Sequence, residues 1–218
     1  MEMTLLGHQR DESVLEQFAL PCAREERVPL VKMLFATRQN LQTNSKDALV
    51  EKMTEEIFDV CDEYDQVIGQ ATRAEVHARG LLHRAVHIWI WRSDGRLMVH
   101  LRSDTKDQFP NCYTSSASGH LDTGEDYEQA AHRELKEELD LAGELTWSTK
   151  LPASSLTANE HSVLFEMITD EIPKPDPGEI AEVEYFTLPE LRQLLDRKPD
   201  NLTPPFRALL EWWFDTQD

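Results

Sequence analysis

The feature that most constrains this chain is a helical pattern near its middle that places three glutamates on one face. At about 3.6 residues per turn, Glu134, Glu137 and Glu138 lie within roughly 100° of one another on a helix predicted over residues 125–141. The apolar stripe of this helix comprises Tyr127, Ala131 and Leu135. Carboxylates so close together repel one another, which favours a hard divalent cation, Mg²⁺ above all, as their partner. The alternative is a solvated acidic face, which most glutamate-rich helices carry.

The net charge limits the partners that the chain can bind. Its 22 Lys and Arg residues stand against 41 Asp and Glu residues, which gives a formal charge of −19 at pH 7. So acidic a chain is unsuited to non-specific binding of nucleic acid polymers or anionic membrane surfaces. An anionic substrate therefore requires local positive charge in its binding site.

Cysteine usage and hydropathy predict a soluble cytoplasmic protein. The cysteines Cys22, Cys61 and Cys112 are odd in number and scattered, which fits neither a disulfide framework nor a closely spaced zinc site. No apolar run approaches the roughly 18 residues of a membrane span, and the N-terminus lacks a basic segment followed by an apolar one. We therefore expect no membrane association. Oligomeric state has no signature in the sequence.

Charge is distributed unevenly, which suggests a division near residue 50. Residues 1–50 hold seven acidic and six basic residues, a net −1, whereas the 34 acidic and 16 basic residues of the remainder give −18. Pro29 opens a stretch with apolar residues at helical spacing, and residues 39–47 have the polar composition of a linker. We predict a helical N-terminal extension with its linker over residues 1–50 and a catalytic domain over residues 51–218.

From residue 57 onwards the pattern predicts an α+β fold, an α/β/α sandwich. Strands precede one central helix, and further strands and closing helices follow it. Trp89 and Trp91 lie on one face of a predicted strand, with Val86, Ile88 and Ile90 largely on the other, which is typical of core side chains rather than of a base-stacking platform. The predicted strands cover residues 57–61, 67–72, 85–91, 96–101, 162–168 and 182–186, and the predicted helices cover residues 125–141, 189–195 and 205–213.

The acidic helix and the loop before it resemble the Nudix box. That motif has a glycine, five residues, a glutamate, seven residues, then Arg-Glu-aliphatic-any-Glu-Glu, followed by a glycine and an aliphatic residue. A chance match to its six fixed glycine, glutamate and arginine positions is on the order of one in 10⁵ for the whole chain. The one departure is Asp140 in place of glycine, which we expect to alter the C-terminal turn of the helix without abolishing metal binding. The matching residues are Gly119, Glu125, Arg133, Glu134, Leu135, Glu137, Glu138 and Leu141.

The resemblance implies a Nudix fold, with a mixed sheet and a loop-helix-loop box, and metal-assisted attack of water on a diphosphate of a small metabolite. Mg²⁺ or Mn²⁺ is the implied cofactor. The implied roles are metal binding by Glu137 and Glu138, metal binding or general-base catalysis by Glu134, orientation of Glu134 by Arg133, and a metal-binding carbonyl from Ser118 or Gly119. A diphosphate adds negative charge to an acidic protein, so the requirement for bridging cations is physically consistent.

Beyond the box, residues 57–213 resemble the branch of the family that contains type 1 isopentenyl-diphosphate isomerases. By this resemblance Arg102 and Lys106 grip the diphosphate, with His120 as a further contact, although such a pair is more often a surface charge. Glu160, after Ala158 and Asn159, is an implied metal ligand. The histidines at 77, 83 and 120 resemble the ligands of a second metal site in those isomerases, and each alternatively is a packed or solvated histidine.

Two changes disfavour isomerase activity. Ser118 stands where the isomerases have a proton-transferring cysteine, and Ala158 stands where they have a glutamate. A hydroxyl is too weak an acid to replace a thiol without help. The intact Arg-Glu-x-x-Glu-Glu core favours hydrolysis of a nucleoside-diphosphate-type or other small metabolite. An isomerase and a catalytically silent metal-binding or regulatory module are the alternatives.

Overall fold

A mixed seven-stranded sheet forms the centre of the computed structural model, which describes residues 56–217. The strands are β1 (Ile57–Cys61), β2 (Val67–Thr72), β3 (His83–Trp91), β4 (Leu97–Arg102), β5 (Tyr113–Thr114), β6 (Ala117–His120), β7 (Thr146–Leu151), β8 (Glu160–Ile168) and β9 (Ile180–Phe186). The helices are α1 (Arg73–Arg79), α2 (Tyr127–Leu139), α3 (Leu188–Arg197) and α4 (Pro204–Gln217). The helices and linker predicted within residues 1–50 lie outside the described residues.

Pairing around β3 gives the sheet its mixed character. The order is β5-β4-β3-β8-β7, with β6 added along β3 and β9 along β4. β3 and β8 run parallel over nine residue pairs, from His83 beside Glu160 to Trp91 beside Ile168. The other pairs are antiparallel, and β1 and β2 form a separate hairpin. This arrangement brings the N-terminal ends of β3 and β8 close to β6 and to the helix that follows it.

Apolar residues on the two faces of the sheet form two hydrophobic cores. On one face, Val86, Ile88 and Ile90 pack against the buried stripe of α2. On the other, Trp89 packs against apolar residues of α3 and α4. The side chains of all four strand residues are fully buried. The predicted α/β/α sandwich and the core assignment of this strand are therefore confirmed.

Some elements were missed by the sequence pattern. The short helix α1 is one, although Thr72 and Glu75 have the spacing of a capping box and the Glu75 amide donates to the Thr72 hydroxyl at 3.2 Å. The strands β5, β6 and β7 are the others, because the first two are only two and four residues long and β7 is a polar edge strand. Short or edge strands have no clear alternation to detect.

The ends of α2 are set by two aspartates. Asp126 caps the first turn, and its side chain accepts from the Gln129 amide at 2.9 Å, so the helix begins later than predicted. Asp140 adopts a left-handed conformation with φ of 53°, and its amide donates to the Lys136 carbonyl at 3.0 Å. Its carboxylate also pairs with Lys136 and Lys174. The expectation that Asp140 alters this turn was wrong, since aspartate tolerates the conformation that glycine favours.

Candidate active site

A cleft of about 570 Å³ lies where β3, β6, β8 and α2 meet. Residues from distant parts of the sequence line it, and they carry both signs of charge. The acidic lining comprises Glu56, Asp122, Glu134, Glu137, Glu138, Glu160, Asp176 and Glu179, and the basic lining includes Arg102, Lys106 and Arg133. The structure therefore brings the box carboxylates and the two predicted phosphate-binding cations into one site.

Glu138 is the most enclosed of the three box carboxylates. Its exposed fraction is 4%, and the Ser118 amide donates to its Oε2 at 3.1 Å. Burial, reinforced by the neighbouring charge of Glu134, raises its pKa well above the usual value. Within residues 56–217 it forms no salt bridge. A buried carboxylate in this state is suited to a cation.

Glu134 lies against the backbone of β6 at Gly119. A Cβ atom added at Gly119 would stand 2.0 Å from Glu134 Oε1, so only glycine permits this approach. Burial raises the pKa of Glu134, and the charge of Arg133 opposes that rise. The box glycine therefore makes room for this position of the Glu134 carboxylate, and its backbone has no unusual φ.

Arg133 connects the loop before α2 to the carboxylates on the helix. Its Nε and Nη2 donate to the two oxygens of Glu125 at 3.0 and 2.9 Å, and Nη2 also donates to the His120 carbonyl at 2.9 Å. Its Nη1 donates to Glu134 at 2.7 Å and to Glu137 at 3.1 Å. Burial disfavours the charged form of Glu125, but the hydrogen bonds from Arg133 outweigh it and lower the pKa of that carboxyl. This geometry suits the predicted role of Arg133 in orienting Glu134.

Glu160 begins β8 on the opposite wall of the cleft. His120 Nε2 lies 3.4 Å from its Oε1, and His87 Nε2 lies 3.9 Å from its Oε2. Burial works against its charge, but interactions with these two histidines prevail and lower the pKa of Glu160. The carboxylate therefore lies between two imidazoles.

The three histidines of the predicted second metal site come together. One ring nitrogen from each of His77, His83 and His120 lies within 4.8 Å of the other two, a group that does not include Glu160. Burial lowers the pKa of His77, and it lowers that of His83 to about 4, so both are neutral at pH 7. Nε2 of each is buried without a hydrogen-bond partner in residues 56–217. Packing is also present, because Phe58 stacks on His83 at a centroid distance of 5.8 Å.

Arg102 and Lys106 both line the cleft. Arg102 Nε donates to the Gln108 carbonyl at 3.2 Å, and Lys106 pairs with Glu179. The side chain of Lys106 is 19% exposed, which is low for a surface lysine. Of the acidic residues near β9, Glu179 lines the cleft, Glu182 is exposed, and Glu184 accepts a hydrogen bond from Tyr113.

Among the lining residues that the sequence analysis does not assign to the site are His87 and Asp176. His87 interrupts the apolar run of β3, and a polar residue in a central strand is a signal that could have identified it. Asp176 lies in the loop before β9, where its amide donates to the Glu138 carbonyl at 2.9 Å. No local pattern indicates that this loop returns to α2.

Comparisons with known proteins agree on the region that contains the cleft. A family model described as the NUDIX domain matches residues 81–212. An uncharacterized Nudix hydrolase of Streptomyces coelicolor is 46% identical over 89 residues, 41% of this chain and 49% of that protein, so the chain spans about half the length of this relative. Isopentenyl-diphosphate Delta-isomerase 2 of Photorhabdus laumondii is 31% identical over 162 residues, 72% of this chain and 91% of that protein. The crystal structure of DR0079 from Deinococcus radiodurans has a TM-score of 0.58 at 28% identity and covers 66% of this chain and 90% of that one.

Among the described residues, no helix is long and apolar enough to span a bilayer.

Proposed function

Because the chain belongs to the Nudix superfamily, we propose that it hydrolyses a diphosphate linkage in a small metabolite by attack of water at phosphorus. The observation that carries this proposal is the convergence of Glu134, Glu137 and Glu138 with Arg102 and Lys106 in one cleft. Acidic residues suit a metal and basic residues suit the phosphates that it bridges. The proposed enzyme acts in the cytoplasm through the domain over residues 51–218.

The donor set fits Mg²⁺ or Mn²⁺. Its donors are hard oxygens, and burial raises the pKa of both Glu134 and Glu138, which a bound cation would oppose. Glu137 and Glu138 would hold the ion, together with a carbonyl of Ser118 or Gly119, and Glu160 would be a further ligand. When bound, the ion supplies an activated water and neutralises phosphate charge.

Side chains of the protein position the groups that react. Arg133 Nη1 donates to Glu134 Oε1 at 2.7 Å and so keeps this carboxylate directed into the cleft. There Glu134 serves as a metal ligand or takes a proton from the attacking water. Arg102, Lys106 and His120 bind the phosphate oxygens and offset the negative field of the chain.

The test is a panel of nucleoside diphosphate derivatives and other diphosphate metabolites, scored for phosphate release with Mg²⁺ and with Mn²⁺. We expect at least one compound to be hydrolysed and the activity to be lost in excess chelator. Activity that persists in chelator would contradict the metal requirement. Metal binding without hydrolysis of any compound would favour the metal-binding module instead.

Isopentenyl-diphosphate isomerase is the second candidate, because one such enzyme aligns with 72% of the chain. Ser118 and Ala158 argue against it. We expect no conversion of isopentenyl diphosphate to dimethylallyl diphosphate, since the Ser118 hydroxyl cannot deliver the proton of a thiol. Chromatographic separation of the two diphosphates measures this. Allylic product above the no-enzyme control would overturn the prediction.

The three-histidine cluster makes a separate prediction about metal content. Neutral imidazoles favour Zn²⁺, Mn²⁺ or another transition metal over Mg²⁺, and Ala158 leaves the site one ligand short of its counterpart in the isomerases. We expect substoichiometric transition metal in protein purified without added metal, its loss in His83→Ala, and hydrolysis that survives the substitution. Elemental analysis of both proteins measures it. Equal metal in the two proteins, or none in either, would mean that the histidines are structural or that His120 serves the substrate phosphate.

A further inference from the structure

The cleft contains a buried histidine nitrogen for which the proposed chemistry gives no role. His87, on the central strand β3, is 4% exposed, and its Nε2 has no hydrogen-bond partner among residues 56–217. Glu160 Oε2 lies 3.9 Å from this nitrogen, which is longer than a hydrogen bond. Because an unpaired buried polar atom is destabilising, its retention at the cleft indicates a function.

The hydrogen bonds behind His87 determine which of its nitrogens carries the proton. Trp89 Nε1 is a donor only, and it donates to Ser115 Oγ at 3.1 Å. Ser115 is fully buried, and His87 Nδ1 lies 3.1 Å from the same oxygen. Within the described residues the Ser115 hydroxyl has no other acceptor, so its hydrogen points to Nδ1. His87 Nδ1 is then an acceptor, which leaves Nε2 as the ring nitrogen that carries the hydrogen.

This Nε2–H group faces Glu160 from the side opposite His120. Each oxygen of the carboxylate has one imidazole beside it, Oε1 that of His120 at 3.4 Å and Oε2 that of His87 at 3.9 Å. A shift of roughly 1 Å brings the His87 contact to hydrogen-bond length. His87 also pairs directly with Ser118 in the β3–β6 register, and the Ser118 amide donates to Glu138.

We propose that His87 is a positioning residue whose Nε2–H, fixed by the Ser115 hydroxyl, holds the Glu160 carboxylate toward the cleft. This rests on the proposed function, because Glu160 is a metal ligand there. The sheet and Ser115 fix the orientation of the His87 ring, so its Nε2–H group points toward Glu160.

The first test measures the tautomer in metal-free protein and requires no catalysis. Two-bond ¹H–¹⁵N spectra at pH 7 should show His87 in the Nε2–H form, and Ser115→Ala should show a mixture of tautomers because the hydroxyl that selects this form is gone. A wild-type ring protonated at Nδ1, or at both nitrogens, would overturn the proposal. So would an unchanged tautomer in Ser115→Ala.

The second test compares two amides at position 87. A glutamine amide reaches the position of Nε2, whereas an asparagine amide reaches only that of Nδ1 and can bond Ser115 but not Glu160. We expect His87→Asn to lower kcat at least about 10-fold with KM within about threefold, and His87→Gln to stay within about threefold of wild type in both. His132→Asn, an exposed substitution on α2, is the matched control and should have no effect. Equal kcat in the Asn and Gln variants would exclude the positioning role.

A readout independent of substrate separates this proposal from the proposed function. In metal-free protein the ¹³C carboxyl signal of Glu160 should move in His87→Asn and stay near its wild-type position in His87→Gln. This result with no hydrolysis of any diphosphate would leave the positioning of Glu160 intact and reject the proposed reaction. The same signal in all three proteins would reject the positioning role whatever the activity.

Discussion

Replacing Glu138 with glutamine is expected to lower kcat for diphosphate hydrolysis by at least about 100-fold, because one proposed metal ligand loses its charge. The change keeps the size of the side chain. A glutamine carbonyl can still accept from the Ser118 amide, which donates to Glu138 at 3.1 Å in the wild-type protein. Substrate binding should persist, since the phosphate-binding cations are untouched. Steady-state kinetics at saturating Mg²⁺ on a substrate from the panel measures the effect.

Glu128→Gln is the matched control for this substitution. Glu128 is exposed on the first turn of the same helix and does not line the cleft, so its replacement should leave kcat within about twofold. Wild-type activity in Glu138→Gln would remove this carboxylate from the metal site. Equal losses in the two variants would point to a general effect of charge on α2.

The urea concentration at which Glu138→Gln unfolds shows whether a loss of activity comes from loss of a metal ligand or from loss of the fold. Burial raises the folded-state pKa of Glu138 above its unfolded-state value. The stability contributed by such a group is fully present below the unfolded-state pKa and is lost as the pH rises through the folded-state pKa. Metal-free Glu138→Gln should therefore unfold at the same or a higher urea concentration than wild type at pH 8. A markedly lower midpoint would mean that the carboxylate has a structural role.

Local patterns were sufficient to predict the elements that form the two cores. Alternation along β3 predicts that Ile88 and Trp89 lie on opposite faces, and the helical period of α2 predicts that Leu135 lies on its buried stripe. Burial in such elements is periodic, so the spacing of apolar residues in the sequence follows it. The turn at Asp140 was mispredicted for a different reason. Its conformation is fixed by backbone geometry that aspartate also tolerates, and its pairing with Lys174 joins positions far apart in the sequence.

The site was predictable where its residues share a motif and not where they meet through the sheet. Glu134 and Glu138 are four residues apart on one helix, so their proximity follows from helical geometry. Glu160 reaches His87 and His120 only because β8 pairs in parallel with β3 and β6 pairs on it. Strand register of this kind depends on contacts distant in sequence. Asp176 has the same explanation, since its loop returns to α2 from beyond β8.

A substitution at Gly119 tests whether the reaction requires Glu134 in its present position, rather than its presence alone. The residue lies in β6 beside Val86, and its α-carbon faces the Glu134 carboxyl group. A methyl group there would stand 2.0 Å from Oε1 and 2.6 Å from Oε2, well inside van der Waals contact. Because a glutamate side chain is flexible, the clash would be relieved by moving the carboxylate, with the backbone kept in place. That movement would break its 2.7 Å contact with Arg133.

We therefore expect Gly119→Ala to fold but to lose at least about 100-fold in kcat, since a displacement of roughly 1 Å at a reacting group has an effect of this size. Circular dichroism and steady-state kinetics measure the two halves of the prediction. Gly69→Ala is the control, because a Cβ at that position meets no atom within 4 Å, and it should retain wild-type activity. A folded Gly119→Ala protein with wild-type kcat would show that Glu134 can act from a second position. The hydrogen bond from Arg133 would then have no catalytic consequence.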